Sequence, residues 1–451
     1  MLNPATAVKQ LEFAWSGLGI ATGTPVDLEA AKTFYQKQLK EARVVKDQNA
    51  TTWALASLGH ILIRMKDFKD ARRYVSESLE LADELHDYAA LGYVNNLLGD
   101  IAYGQGLMED ANLFYRRGWD AYARIGEEKG QAWSYTNIGN AAQAMGDFNT
   151  ASQMYRKSIE LIEKMDDPRA LAWNKNLMGS VGWAIGSYEV ALKTYEEALE
   201  LYRLKDDMRG QAWTLDLMGN LKLAMHQDVE AERLYHQAHT MSGAEGTDPQ
   251  GMAWYRYHMG AVYLFRKNVD EAKEEFTKAL QIFEHLQDTL GQVASLTHLG
   301  EIACTQGKFK EAQSQLKHGV QLMLAGQSNP LLVDLLTSVA QLLKGQGEEK
   351  KAISLLMVAL SHPTCRQQTK DRMVSLAKEL QTDFTPSEVD KGFRWAKGAD
   401  LEEMANGWLV SLGMGTEPKE KEKRIKTKKP QAKKTSVKTV KKAKPKTKRK
   451  K

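Results

Sequence analysis

Cysteine is scarce in this chain of 451 residues, which contains only Cys304 and Cys365. Two thiols cannot build a disulfide framework, and they cannot fill a four-ligand zinc site by themselves. The scarcity excludes a small secreted disulfide scaffold and is typical of a reducing compartment. Cys304 lies among apolar residues, where we expect it to be a small buried side chain, whereas Cys365 follows Pro363 in a loop, where we expect an exposed thiol.

Long uncharged runs are also missing. The longest stretch near the N-terminus, Phe13 to Val26, is interrupted by three glycines and Pro25, and no basic segment precedes it. The sequence therefore predicts neither a signal peptide nor a membrane-spanning helix, and we expect a cytoplasmic protein.

Residue patterns that carry catalysis are absent as well. The sequence has no G-x-x-x-x-G-K-[ST] phosphate loop, because Gly307 and Lys308 are followed by Phe309. His258 and His298 occupy equivalent places in successive repeats, but two histidines without a third ligand do not predict a metal site. We expect a protein that is not an enzyme and that binds no cofactor and no metal.

Charge is present in quantity but is divided between two regions. Of 62 lysines and arginines, 18 lie in residues 416–451, against only three of the 57 acidic residues. Residues 1–415 therefore carry 44 basic and 54 acidic side chains, so the body of the chain is acidic and its last segment is strongly basic.

The body repeats with a period of about 40 residues, and the register slips once by a single position. An alanine recurs nine times in one register: Ala31, Ala71, Ala111, Ala151, Ala191, Ala231, Ala272, Ala312 and Ala352. A glycine stands twelve residues before the first eight of these: Gly19, Gly59, Gly99, Gly139, Gly179, Gly219, Gly260 and Gly300. A bulky side chain, most often tyrosine, follows each alanine by four residues.

The spacing within each unit predicts two amphipathic helices. In the fourth unit, apolar and small residues recur three and four places apart on either side of Gly146. We expect Gly146 to adopt a left-handed conformation between the helices and Asp147 to cap the second one. A glycine inside a helix costs roughly 0.5–1 kcal/mol relative to alanine, so the glycine column predicts positions of close helix contact.

The residues Ile138, Gly139, Ala151, Tyr155 and Ser158 resemble the signature of the tetratricopeptide repeat family, in its longer, forty-residue form. The resemblance covers about residues 3–360 and implies an all-α superhelix of nine helix pairs. Leu316 and Leu356 replace the aromatic residue in the last two units, as expected where a stack of repeats ends.

In this family, one side of the first helix of each pair forms the wall of a concave groove. Trp133 lies about 200° around the helix from Tyr135, so it belongs to a stripe separate from the one that packs on the second helix. Flat aromatic rings and side-chain amides on that stripe suit an extended polypeptide. The candidate groove residues are Trp53, Tyr93, Trp133, Trp173, Trp213, Trp254, Asn96, Asp100, Asn137, Asn140, Asn176, Asp216 and Asn220.

The aromatic column has a second interpretation. One ring in each repeat would also fill the wedge between neighbouring helix pairs. The sequence leaves the two roles of the rings open. We expect Asn140 and Asn220 to lie in the groove, because a buried amide needs partners that an apolar seam seldom offers.

A cap and a tail follow the repeats. We expect a capping helix over residues 366–381 and one or two more helices over 385–412. The stretch from Phe393 to Glu403 is similar to the end of helical sensor regions in some bacterial signal-transduction ATPases and regulators. That similarity implies a bacterial chain derived from such a sensor. A further alternative, an accessory or sensor subunit of an enzyme, predicts that the chain works only beside a separately encoded ATPase. The predicted division is residues 1–360 for the repeats, 361–412 for the cap and 413–451 for the tail.

The tail is predicted to be disordered, since residues 423–451 hold 16 lysines and arginines with no acidic and no aromatic side chain. Such a segment can neutralise phosphates without reading bases, can bind the acidic groove, or can act only as a soluble charge run. The candidate polyanion-binding residues are Lys428, Lys429, Lys433, Lys434, Lys441, Lys442, Lys448, Arg449, Lys450 and Lys451.

These observations predict a noncatalytic scaffold that binds partner polypeptides in a concave groove and uses the tail for polyanion contact or regulation. The alternative is a protein that binds DNA or RNA nonspecifically through the tail while the repeats recruit other factors. Nucleic-acid binding would place the protein at the nucleoid, or in the nucleus of a eukaryote.

Overall fold

The computed structural model describes residues 28–242, 248–326, 329–379 and 401–412, and all regular structure in these ranges is helical. There are nineteen α-helices and a 3₁₀ turn at Glu163–Met165 within them. The helices are α1 Leu28–Val44, α2 Gln48–Arg64, α3 Phe68–Glu84, α4 Tyr88–Gly104, α5 Met108–Ile125, α6 Glu128–Ala144, α7 Phe148–Ile162, α8 Pro168–Ala184, α9 Tyr188–Arg203, α10 Met208–Ala224, α11 Asp228–Ser242, α12 Pro249–Phe265, α13 Val269–His285, α14 Thr289–Thr305, α15 Phe309–Gly326, α16 Asn329–Gly345, α17 Glu349–Ser361, α18 Gln367–Glu379 and α19 Leu401–Ser411.

The helices form a two-layered solenoid, which confirms the predicted all-α superhelix. The even-numbered helices α2 to α16, here called the inner helices, each pack on the helix that follows. The odd-numbered helices α3 to α17 are the outer helices, and each of α3 to α15 also packs on the inner helix of the next pair. Neighbouring inner helices contact one another, as α2 does with α4 and α14 with α16. The inner layer is therefore the more crowded and faces the concave side.

Eight complete helix pairs lie in the described residues, and α1 is the outer helix of the first unit. The first inner helix of the nine predicted pairs falls before Leu28, outside the described residues. The basic segment 413–451 and most of the stretch that resembles sensor regions also lie outside them.

The repeated glycines are contact points between the two layers, as predicted. A β-carbon at Gly139, Gly179 or Gly219 would come within 2.5 Å of a tyrosine ring on the outer helix of the same pair. Eight of the nine column alanines, all except Ala31, have no exposed surface. In five of the eight complete pairs a glycine on one helix thus faces an aromatic ring on the other, and Gly59 and Gly300 face Val75 and Leu316.

Helix ends are capped as the sequence indicates. The carboxylate of Asp147 accepts a hydrogen bond from the Thr150 amide at 3.0 Å, and Gly146 has φ +78°. Asp167 caps α8 in the same way, and Pro168 opens that helix as its first residue. The short turns between helices are therefore built from aspartate caps and left-handed residues.

The last repeats end in a helical cap. Helix α18 matches the capping helix expected over 366–381, and it packs on α16 and α17. Helix α19 packs on α15, α16 and α17 through the buried Trp408 and Leu409. Helix α18 also contacts α8, which lies five helix pairs earlier in the chain. Whether residues 360 and 412 divide the chain into domains stays a prediction. No helix in the described ranges has both the length and the apolar character that crossing a membrane requires.

Candidate peptide-binding groove

The inner helices present one stripe of residues, spaced three and four apart, toward the concave side. On α6 this stripe contains Trp133, Thr136 and Asn140, and on α10 it contains Trp213, Asp216 and Asn220. Most predicted groove residues belong to this stripe, which we call the inner stripe. Asn137 lies on α6 beside the stripe and is 3% exposed.

The first three rings of the aromatic column are buried, and the last three are only partly buried. Trp53, Tyr93 and Trp133 are 7%, 2% and 3% exposed, and their ring centroids follow each other at 5.7 Å. They pack in one apolar cluster with residues of α2, α3 and α4. These three rings therefore fill the space between neighbouring repeats and offer a ligand little surface.

The later rings of the column are only half-buried. The rings of Trp173 and Trp213 are tilted against each other with centroids 4.6 Å apart. Trp254 meets the edge of Phe283 on the adjacent outer helix at 4.9 Å. The surface available to a polypeptide along the column is thus concentrated in α8, α10 and α12.

Two of the predicted groove amides instead join consecutive repeats. Asn96 donates through Nδ2 to the Ser134 hydroxyl at 3.0 Å, and Asn176 donates to Thr214 at 2.8 Å. Both asparagines have no exposed surface. In both cases the polar partner lies on the next inner helix, 38 residues after the asparagine. This shared spacing is the signal in the sequence that points to bridges between repeats.

A second hydrogen bond recurs within the helix pairs. The tyrosine hydroxyl of the outer helix donates to an acceptor on the inner stripe of the same pair. The distances are 2.9 Å for Tyr115 to Asp100, 2.8 Å for Tyr155 to Asn140 and 3.0 Å for Tyr235 to Asn220. The hydroxyl oxygens of Tyr195 and Ser180 are 3.2 Å apart. In the pair α12 and α13 the tyrosine is replaced by Phe276, which has no hydroxyl, and the acceptor position holds Ala261.

This bond uses the side-chain oxygens of Asn140 and Asn220. Both residues are half-buried on the inner stripe, and their amide N–H groups are not engaged in the bond to tyrosine. The expectation that they line the groove stays a prediction, now with a defined orientation. A ligand carbonyl is the natural acceptor for these N–H groups.

Asp100 is the one carboxylate among these tyrosine acceptors within the described repeats. Its burial raises the pKa of Asp100 to about 7, although the hydrogen bond from Tyr115 acts in the opposite direction. The folded protein therefore holds a proton on Asp100 between about pH 4 and pH 7 that the unfolded chain has released, so stability falls as the pH rises through this range.

Asp100→Asn is consequently expected to stabilise the protein by about 1–3 kcal/mol at pH 8 and to leave stability unchanged at pH 4. The asparagine keeps the bond from Tyr115, as Asn140 does with Tyr155. Urea unfolding at the two pH values measures the difference. Asn140→Asp is the matched control and should destabilise at pH 8 only. A gain that is equal at both pH values would contradict the raised pKa.

At the C-terminal end the inner stripe becomes acidic and is heavily hydrogen-bonded. Glu301 on α14 is 9% exposed and lies 3.0 Å from Nδ1 of His298. It also accepts hydrogen bonds from Ser338 on α16, at 2.5 Å, and from Arg372 on α18. Asp334, which takes the place of the tryptophan in its repeat, accepts from Thr369 on α18.

The predicted acidic residue Asp216 has its own partner. Its carboxylate lies 2.9 Å from Nε2 of His258, whose ring stacks on Tyr235 with centroids 4.6 Å apart. The equivalent histidine, His298, contacts the hydroxyl of Tyr257 at 3.2 Å. These histidines are parts of bridges between repeats. In the described part of the chain, no three side chains of the kinds that bind metal come together.

The two thiols are both buried. Cys304 is 8% exposed and Cys365 is 1% exposed, so the exposed thiol expected at Cys365 was wrong. The loop that carries Cys365 is covered because α18 follows it back onto the repeats. Burial raises the pKa of each thiol to about 12, which disfavours the thiolate needed for nucleophilic attack.

Comparison with known proteins supports the repeat assignment. Residues 131–165 and 251–325 match family models of the tetratricopeptide repeat. No curated protein sequence matches the chain.

Solved structures of the same fold cover most of the chain. The chain is similar to NprR in complex with its cognate peptide NprX, at 15% identity and a TM-score of 0.55, over 87% of this chain and 97% of that one. It is similar to a Rap protein complexed with the competence and sporulation factor, at 16% identity and a TM-score of 0.53, over 80% and 98%. The apo form of the quorum sensor NprR from B. thuringiensis matches at 15% identity and a TM-score of 0.52, over 84% and 100%. At these identities the likeness concerns the fold.

Proposed function

We propose that this chain, a tetratricopeptide-repeat protein, is a noncatalytic scaffold that binds a partner polypeptide along the inner stripe of its superhelix. The observation that carries the proposal is the change in the aromatic column between α6 and α8. Trp133 is 3% exposed, whereas Trp173, Trp213 and Trp254 on the later inner helices are only half-buried. The exposed part of these indoles is suited to burying apolar side chains of a ligand.

The polar residues beside these rings complete the binding chemistry. Asn140 and Asn220 are fixed by tyrosine hydroxyls, so their N–H groups are held in place before a ligand arrives. A peptide backbone offers carbonyl groups that these donors can bind. Two of the similar structures, those of NprR and the Rap protein, were solved with a bound peptide or factor, which supports the same use of the fold here.

Trp173→Ala/Trp213→Ala should abolish capture of the native partner in a crosslinked pull-down while the helical content stays unchanged. The expected loss is at least about 10-fold, since two anchoring rings at about 1–2 kcal/mol each are removed. The control is Leu204→Ala/Val229→Ala, which truncates two exposed apolar residues away from the inner stripe. If partners are retained by the double tryptophan variant, binding along the inner stripe is excluded.

The alternative, nonspecific binding of nucleic acid, is supported by the basic composition of residues 423–451 alone. A chain that ends at residue 416 separates the two roles in the same pull-down. Under our proposal it keeps the partner polypeptide, and under the alternative it loses DNA or RNA that the full chain retains at low salt.

A further inference from the structure

The segment between α17 and the middle of α18 crosses from one part of the inner surface to another. We call residues 362–372 the strap. Thr364, Cys365 and Thr369 in the strap are 2%, 1% and 4% exposed, so the segment is packed against the body of the protein. Because α18 contacts α8 as well as its neighbours α16 and α17, the strap joins repeats that are far apart in sequence.

The first part of the strap lies on the turns of the third and fourth complete repeats. A β-carbon at Gly146 would overlap the carbonyl group of Pro363 and would lie 2.6 Å from the amide nitrogen of Thr364. The Cγ atom of Gln367 would lie 3.1 Å from a β-carbon at Gly186. The guanidinium of Arg366 lies over the indole of Trp183, 5.4 Å from the ring centroid.

The second part lies on the acidic end of the inner stripe. Arg372 forms an ion pair with Glu301, and Thr369 donates its hydroxyl proton to Asp334. Glu301 occupies the repeat position that holds Asn140 and Asn220 elsewhere, and Asp334 occupies the tryptophan position. The strap therefore engages positions that, in the other repeats, are the ones we propose for the partner.

We propose that the strap is an intramolecular ligand of the groove, and that the partner is an arginine-bearing polypeptide which binds by displacing it. This inference rests on the proposed function and specifies the partner for the same surface. The two arginines define the chemistry, since one stacks its flat cation on an indole and the other pairs with a carboxylate. Lysine would serve less well, because an ammonium has neither the planar face nor the forked donors.

An intramolecular ligand lowers the apparent affinity for an external one. Binding is reduced by the fraction of molecules in which the groove is open, so loosening the strap should raise the affinity without changing the groove. The anchor of α18 on the last repeats also includes Met373 and Leu376, which lie outside the strap and are buried in the C-terminal core.

The probe is a synthetic peptide of residues 366–379, which begins beyond Pro363 and Thr364, added to the full-length protein and followed by fluorescence polarisation. We expect Arg366→Ala/Arg372→Ala protein to bind this peptide at least about 10-fold more tightly than wild type, because the peptide supplies the missing guanidinium groups. A peptide with alanine at both arginine positions should lose that gain.

A second variant leaves both arginines in place. Gly146→Lys puts a side chain where Pro363 and Thr364 of the strap pass. The peptide lacks both residues, so this variant should also raise its affinity. The matched control is Gly307→Lys, at the same position of another repeat, with φ +70° against +78° and open space around it. The turns at Lys66 and Lys267 show that lysine is accepted at this left-handed position.

Equal peptide binding by the two lysine variants, or binding that does not depend on the arginines, would overturn the proposal. These results are independent of the pull-down with Trp173→Ala/Trp213→Ala. Loss of native partners in that experiment, together with indifference to the arginines here, would remove the strap's role as a ligand and leave the scaffold function standing. If the tryptophan variant retained its partners in the pull-down while peptide binding depended on the arginines, the scaffold function would fail and the strap would remain a ligand.

Discussion

Arg372→Ala should destabilise the last repeats by about 3 kcal/mol, because it leaves Glu301 buried without its main counter-charge. Burial acts to raise the pKa of Glu301, but the charge of Arg372, with His298 and Ser338, outweighs it and holds the pKa well below its usual range. The figure is at the lower end for a buried pair, since the Arg372 side chain is 36% exposed.

Hydrogen exchange is the appropriate measurement, since it reports the stability of the last repeats separately from that of the first ones. Amides of α14, α16 and α18 should lose protection in Arg372→Ala, while those of α2 to α5 stay unchanged. The loss of stability in Arg372→Ala relative to wild type should shrink as the pH falls below about 4.5. There the unfolded chain is protonated at Glu301, and the advantage of a low folded pKa disappears.

Two controls separate the buried pair from a general loss of charge. Glu301→Gln/Arg372→Leu removes both charges and should recover part of the stability lost in the single variant. Arg233→Ala removes a half-exposed ion pair with Glu230 on one face of α11, and should cost less than about 0.5 kcal/mol. A loss in Arg233→Ala as large as that in Arg372→Ala would contradict the role assigned to burial.

The repeat architecture could be predicted from the sequence because the same residue pattern recurs in each unit. The glycine and alanine columns and the aspartate caps are local features, and eight repetitions within the described residues leave little freedom in how they pack. Gly146 and Asp147 are examples, since glycine suits the left-handed position of the turn and the aspartate that follows caps the next helix.

The 40-residue period does not by itself predict which inner-stripe residues bridge repeats and which accept a hydrogen bond from tyrosine. Asn96 and Asn220 are both amides near the aromatic column, yet one is buried between repeats and the other receives a tyrosine hydroxyl. The difference lies in the partner, which stands on the next inner helix for Asn96 and on the outer helix of the same pair for Asn220, and the repeat period alone does not reveal it. The contact of the strap with α8 could not be predicted either, because it depends on how far the superhelix turns over five helix pairs.

Trp133→Ala should lower the free energy of unfolding by about 3–5 kcal/mol, whereas Trp213→Ala, at the same repeat position, should cost only about 1–2 kcal/mol. Trp133 is 3% exposed and packs on Tyr93 in a closed cluster, so truncation leaves a cavity. Trp213 is half-buried and rests mainly on Trp173, so less apolar surface is lost.

The pair of variants tests which half of the column is structural, because residue type and repeat position are the same in both. Urea unfolding followed by circular dichroism gives the stability of each variant, and affinity for the native partner gives its function. Trp133→Ala should lose stability and, at temperatures where it is folded, keep its affinity, while Trp213→Ala should keep most of its stability and lose affinity. Equal losses of stability would mean that the indoles from α8 onward also serve the seam between repeats. The half-buried state of Trp173, Trp213 and Trp254 would then no longer support the proposal that they anchor the partner.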